Sequence, residues 1–107
     1  MPSAEPEPAG GLAATADGRW SLTGALTFDT VPLLWRQAVP LFAATGAGPT
    51  TQVDLGGVAN VDSAGLALLV AWQARAQAMG RMLHYASLPE RLLAIARISE
   101  ADALLVG

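Results

Sequence analysis

Cysteine and lysine are both absent from this 107-residue chain, and histidine occurs once, at His84. Without cysteine there is no disulfide, no thiol nucleophile and no thiolate metal site. Without lysine, a phosphate-cradling glycine loop that ends in lysine is excluded. His84 has no cysteine or second histidine with which to complete a metal site, and no serine stands at a recognisable catalytic spacing from it. It reads as a structural residue of the apolar strand Met82 to Ala86.

Charge is also scarce. Charged residues make up 14% of the chain, against the ~25% usual for soluble domains. Six basic and nine acidic residues leave a formal charge of −3. All the basic residues are arginines, spread from Arg19 to Arg97. Nucleic-acid binding requires clustered positive charge for counterion release, so that class is disfavoured. Attachment to an anionic membrane by a polybasic patch is disfavoured for the same reason. No apolar run approaches the ~20 residues of a bilayer span. The start lacks the basic and apolar segments of a signal peptide. A soluble cytoplasmic protein without direct membrane insertion is expected. The low charge fits a surface partly covered by a partner, and fits equally an alanine-rich background composition.

Apolar residues account for 52% of the chain, enough for one modest core at this length. Residues 1–11, with three prolines and two glutamates, read as a disordered lead-in. Residues 12–107 read as a single domain. Leu12 to Thr15 and Arg19 to Leu22 are expected to form a hairpin around Asp17-Gly18, with Gly24 ending its second strand. Thr27 to Ala44 has helical periodicity, capped by Thr27 or Asp29. Val31, Leu34, Trp35, Val39 and Phe42 share one face of it, and Pro40 should kink or split it. After the Gly46-Ala47-Gly48-Pro49 loop, Thr51 to Leu55 forms a strand stopped by Gly56-Gly57.

A helix follows from Asp62 to Met79, with Gly80 at its left-handed C′ position. Its face Leu68, Leu69, Trp72, Ala76 and Met79 should cover the sheet. Trp20, Trp35 and Trp72 are read as core. Arg81 to Ala86 is a last strand. Ser87 to Ser99 is a helix in which Ser87 and Glu90 have capping-box spacing and Pro89 lies in the first turn. Glu100 to Val106 adds a helical turn. The order β-β-α-β-α-β-α implies an α/β fold: a small, mostly parallel sheet with an antiparallel N-terminal hairpin and helices packed against it.

The richest segment is Val53-Asp54-Leu55-Gly56-Gly57-Val58-Ala59-Asn60-Val61-Asp62-Ser63-Ala64-Gly65-Leu66. Asp62 is suited to cap the helix, because its carboxylate can accept from an unpaired N–H of the first turn. Ser63 then sits at the positive end of the helix dipole, where an added phosphate or a partner's anionic group is favoured. It can equally be an ordinary helix-start serine. Gly65 costs ~1 kcal/mol of helix propensity against alanine. Either core packing or docking can be the compensating reason. Leu66 lies on a neighbouring stripe with Val70, Gln73 and Gln77, belonging either to a wide core face or to an apolar docking patch near Ser63. Asp54 is assigned to loop hydrogen bonding. Asp29, Asp54, Asp62, Glu90 and Glu100 show no spacing that pairs two of them as acid and base, so no enzyme and no cofactor are expected.

The strand ending Val53-Asp54-Leu55, the step Val58 to Val61 and the run Asp62-Ser63-Ala64-Gly65-Leu66 resemble the signature of STAS domains. These are shared by anti-sigma-factor antagonists and the cytoplasmic tails of sulfate transporters. The layout Leu22-Thr23-Gly24-Ala25-Leu26, Pro32-Leu33-Leu34-Trp35 and Gly65-Leu66-Ala67-Leu68-Leu69 is most similar to the MlaB branch, the cytoplasmic STAS subunits of Mla phospholipid ABC transporters. The resemblance covers roughly residues 19–99. It implies a STAS fold and a non-catalytic accessory subunit bound to a transporter ATPase, itself complexed with a permease. The partner-binding residues would be Asp62, Ser63, Ala64, Gly65 and Leu66, and the protein would be peripheral to the inner membrane through that complex. The alternative implied by the antagonists is a switch phosphorylated on Ser63 by a serine kinase. Thr27 departs from that branch, many members of which carry an acidic residue there.

Overall fold

The computed structural model describes residues 10–16, 18–43 and 50–98. Four strands and three helices alternate in chain order. They are β1 (Gly10–Ala16), β2 (Arg19–Leu26), α1 (Val31–Ala43), β3 (Thr50–Val61), α2 (Ser63–Ala78), β4 (Met82–Ala86) and α3 (Glu90–Ile98). The sheet order is β1-β2-β3-β4. The hairpin pair β1–β2 is antiparallel, whereas β2–β3 and β3–β4 are parallel. The α/β architecture expected from the order of elements is therefore present. No described helix is long and apolar enough to cross a membrane.

Alternation of side chains puts Trp20 and Leu22 of β2, Val53 and Leu55 of β3, and Leu83 and Tyr85 of β4 into one core. Helix α1 packs against β1, α2 lies across β2 to β4, and α3 leans on α2. Leu68, Leu69, Trp72 and Ala76 of α2 are buried as its periodicity requires, while Met79 at the helix end stays exposed. Two long-range devices lock the layers. The Tyr85 hydroxyl donates to the Leu69 carbonyl at 2.6 Å. The Arg81 guanidinium donates to the Phe42 carbonyl at 3.0 Å and to Thr51 Oγ1 at 3.1 Å, tying the end of α1 to the start of β3.

The two strands of the site differ from expectation. Gly24 does not end β2: it adopts φ +81° inside the strand, beside a register shift, and pairing continues to Leu26. Nor does Gly56-Gly57 stop β3, which runs on to Val61. A second register shift falls between Ser21 and Thr23 on β2, where Gly57 comes opposite Thr23. A Cβ on Gly57 would lie 2.7 Å from Thr23 Cγ2. Glycine here marks a bulge where two strands approach closely, and does not terminate the strand. The continuation carries β3 past the end of β4, whose last pair is Asp54↔Ala86. The start of α2 is thereby lifted to one end of the molecule. The strand β1 begins at Gly10, two residues inside the segment expected to be disordered.

Helix α1 is shorter and more exposed than its periodicity suggests. Residues 27–30 form a turn organised by Thr30, not by Thr27 or Asp29: its hydroxyl accepts from the Thr27 amide and donates to the Ala25 carbonyl at 2.8 Å. The buried stripe is Leu34, Ala38 and Phe42. Trp35 and Val39 are 37% and 50% exposed, because α1 sits over the sheet edge and turns only a narrow face inward. The Phe42 ring meets Trp20 edge-on, with centroids 5.2 Å apart. Pro40 lies inside a helix that is not split. The carbonyl it leaves without an amide partner is that of exposed Arg36, which solvent can serve.

Helix α3 starts at Glu90, and Ser87 is not its cap. Ser87 adopts φ +59°, whereas an N-cap residue is extended. The first bond of the helix runs from the Leu93 amide to the Pro89 carbonyl. The Gly46–Pro49 loop and the turn expected over Glu100 to Val106 lie outside the described residues.

Candidate functional site at the start of helix α2

Where β3 gives way to α2, the backbone of Asp62 is extended (φ −136°, ψ −174°), so its carboxylate folds back over the first helical turn. Asp62 Oδ1 accepts from the Gly65 amide at 3.0 Å, the N-cap bond expected from the sequence. The other oxygen has a separate task. Asp62 Oδ2 accepts from the Phe28 amide at 3.0 Å, across 34 positions of sequence. The backbone reinforces this, with the Asp62 amide donating to the Leu26 carbonyl at 3.2 Å. One carboxylate thus fastens the β2–α1 turn to the start of α2.

These bonds favour the ionised form of Asp62. The Phe28 amide is the largest influence lowering its pKa below the usual aspartate value; partial burial opposes it, and the Gly65 and Ala64 amides add to it. A carboxylate with a depressed folded pKa stabilises the protein above its unfolded pKa of about 3.9. That contribution is lost as pH falls through this value towards the lower folded one. Asp62→Ala should cost about 1 kcal/mol through the lost cap. It should also flatten the fall in stability between about pH 5 and pH 3. Urea titrations of both proteins across that range check it; native stability with a native pH slope would show that the carboxylate does not hold the turn.

Ser63, the first residue of α2, is exposed, and Ala64 is half-buried. Gly65 and Leu66 go inward. A Cβ on Gly65 would overlap the Leu26 carbonyl oxygen and lie 2.7 Å from Leu26 Cγ. Close packing of α2 on the end of β2 therefore explains this glycine. Leu66, at 4% exposure, belongs to the core and offers no docking surface of its own. Among the five residues singled out from the sequence, the structure brings Asp62, Ser63 and Ala64 to the surface region and uses Gly65 and Leu66 to seat the helix.

Asp54 accepts from the Gly56 amide at 2.8 Å, a local bond within the bulged strand. His84 is exposed on β4. Among the described residues, no three His, Asp or Glu side chains gather as a metal site.

Sequence reasoning missed Phe28 and Thr30. The Thr27 carbonyl accepts from the Thr30 and Val31 amides, each at 3.0 Å, and closes the turn that projects Phe28. The available signal was a large aromatic flanked by threonine and aspartate just ahead of a helix, which no core stripe had claimed.

The family model described as "Mlab, STAS domain" matches residues 13–107. The chain belongs to the MlaB-type STAS family. No curated protein matches it. Among solved structures, it is similar to the anti-sigma factor antagonist SpoIIAA in its unphosphorylated form. That likeness has a TM-score of 0.63 and 14% identity, over 84% of this chain and 83% of the other. At that identity it concerns the fold, and this MlaB-type chain has the STAS fold of the antagonist. A second match, to Mglu in its native form, has a TM-score of 0.41 and 26% identity over 69% of this chain and 22% of the other.

Proposed function

We propose that this MlaB-type chain is a non-catalytic accessory subunit that binds the ATPase of an Mla-type phospholipid ABC transporter and supports its assembly or activity. ATP hydrolysis and lipid movement belong to the other subunits, which would hold this protein at the cytoplasmic side of the inner membrane. The observation that carries the reading is the exposed Ser63 at a helix start clasped by both oxygens of Asp62, in a chain of this family. Asp62, Ser63 and Ala64 form the contact. Gly65 and Leu66 act beneath them by fixing the helix.

Ser63→Arg places a long cation on this surface without touching the core. It is expected to weaken binding to the purified ATPase subunit at least about 100-fold, as bulk and misplaced charge at the centre of a small interface do. Its circular dichroism should match the native spectrum. Isothermal titration of both proteins checks this, and undiminished binding would remove Ser63 from the interface.

The second reading is an anti-sigma-factor antagonist, favoured by the accessible hydroxyl at the positive end of α2. A phosphate there adds about −1.5 to −2 charges beside Asp62, and the helix dipole partly offsets the repulsion. Incubation with the host's serine kinases and mass measurement of the Ser63 peptide distinguishes the two. A neighbouring ABC ATPase and permease gene, or a kinase and sigma-factor gene, separates them independently.

A further inference from the structure

Phe28 is 74% exposed, although large aromatic side chains ordinarily supply core. Its backbone is held on both sides. Asp62 Oδ2 takes its amide, the Thr27 carbonyl accepts from the Thr30 and Val31 amides, and the Thr30 hydroxyl ties the turn to Ala25. A turn fastened in this way holds the Phe28 backbone in one place, so only the two side-chain torsions of the ring remain to be ordered when a partner covers it. Buried aromatic anchors of this kind carry a disproportionate share of binding energy at protein interfaces.

We infer that Phe28 is the apolar anchor of the Ser63 docking surface, held in position by Asp62, and that it enters an apolar pocket bordered by basic side chains on the partner protein. The inference rests on the partner-binding reading above and adds the residue that would dominate it. The charge of the pocket rim follows from the surroundings: exposed Asp29 is the next residue, and the half-buried Asp62 carboxylate is bonded to the Phe28 amide itself. The same carboxylates oppose an anionic lipid surface, so an exposed aromatic here fits a protein pocket and not a bilayer. Asp62 is a positioning residue in this scheme. It caps α2 and aims Phe28 with the two oxygens of one group.

The test compares Phe28→Ala, Phe28→Leu, Asp62→Asn and Ser63→Arg in titrations against the purified ATPase subunit of the host's Mla-type transporter. Phe28→Ala should weaken Kd at least about 30-fold with an unchanged melting temperature, and Phe28→Leu should recover most of that loss. Asp62→Asn should weaken binding less and broaden the Phe28 amide resonance in NMR spectra, which a purely structural cap would leave sharp. Native affinity in Phe28→Ala, with binding lost in Ser63→Arg, would overturn the anchor and leave the proposed function standing. If the native protein does not bind the ATPase, the transporter reading falls. The same variants are then titrated against the host's anti-sigma serine kinase, where loss in Phe28→Ala supports the anchor and retention overturns it. Binding to neither protein overturns it, as does Phe28-dependent association with phosphatidylglycerol vesicles or with a second copy of this chain.

Discussion

Gly65→Ala is expected to destabilise the protein by about 3 kcal/mol, lowering its melting temperature by roughly 12–20 °C. Taken alone, the helix would gain ~1 kcal/mol from alanine. The fold reverses that sign. The new methyl would overlap the Leu26 carbonyl oxygen and stand 2.8 Å from the Leu26 carbonyl carbon, both backbone atoms. Neither can move cheaply. Leu26 is fully buried, and its carbonyl already accepts the Asp62 amide. Relief requires α2 to lift from β2, which would also stretch the bonds from Asp62 to Gly65 and Phe28. Thermal unfolding checks the effect, and a raised melting temperature would mean that helix propensity outweighs packing here. Partner affinity of the folded fraction should fall as well, because the clasp that orients the surface moves with the helix.

Leu69→Ala should cost about 2–5 kcal/mol, the range for a leucine removed from a core that cannot collapse around the gap. Leu69 is fully buried between the neighbours that make up the main core, and Trp72 on the next turn is equally enclosed. Its carbonyl would still receive the Tyr85 hydroxyl, so the loss is one of packing and not of a hydrogen bond. Against the ~5–15 kcal/mol that holds a domain of this size, such a change brings the variant near its limit. The contrast is Val39→Ala on the half-exposed side of α1, expected to stay within ~0.5 kcal/mol. Urea denaturation of the two variants would separate these outcomes. Equal losses would mean that the inward faces of α1 and α2 are wrongly assigned.

The stability variants and the surface variants ask two different questions of the protein. Gly65 and Leu69 report how the helix is seated. Ser63 and Phe28 report what the seated helix and its adjoining turn present. A Ser63→Arg protein that melts like the native one yet does not bind would locate function at the surface, whatever the partner proves to be.

What the chain announces by itself is local. Asp62 caps α2 through an amide three residues away. Gly80 takes φ +72° just beyond the helix, where the Gly80 and Arg81 amides close the last turn on the Gln77 and Ala76 carbonyls. Gly18, at φ +73°, turns the hairpin, and the succession of strands and helices follows from periodicity and these punctuating residues. Each such feature depends on groups within a few residues, so composition and spacing suffice to read it. The helix start and its serine were legible for that reason.

The tertiary structure decided the rest. Gly56-Gly57 reads as a strand end from its neighbours, and only Thr23 packed against Gly57 shows that it is a bulge in a strand that continues. Gly65 and Leu66 could serve docking or packing until Leu26 closes over the first turn of α2. Trp35 and Val39 fit the apolar stripe of α1, but a helix over a sheet edge has room to bury only Leu34, Ala38 and Phe42. The second oxygen of Asp62 meets an amide 34 positions earlier, and no local pattern encodes that meeting. Short-range hydrogen bonds are specified by neighbours in the chain, whereas the close approach of distant segments is specified only when the whole core packs.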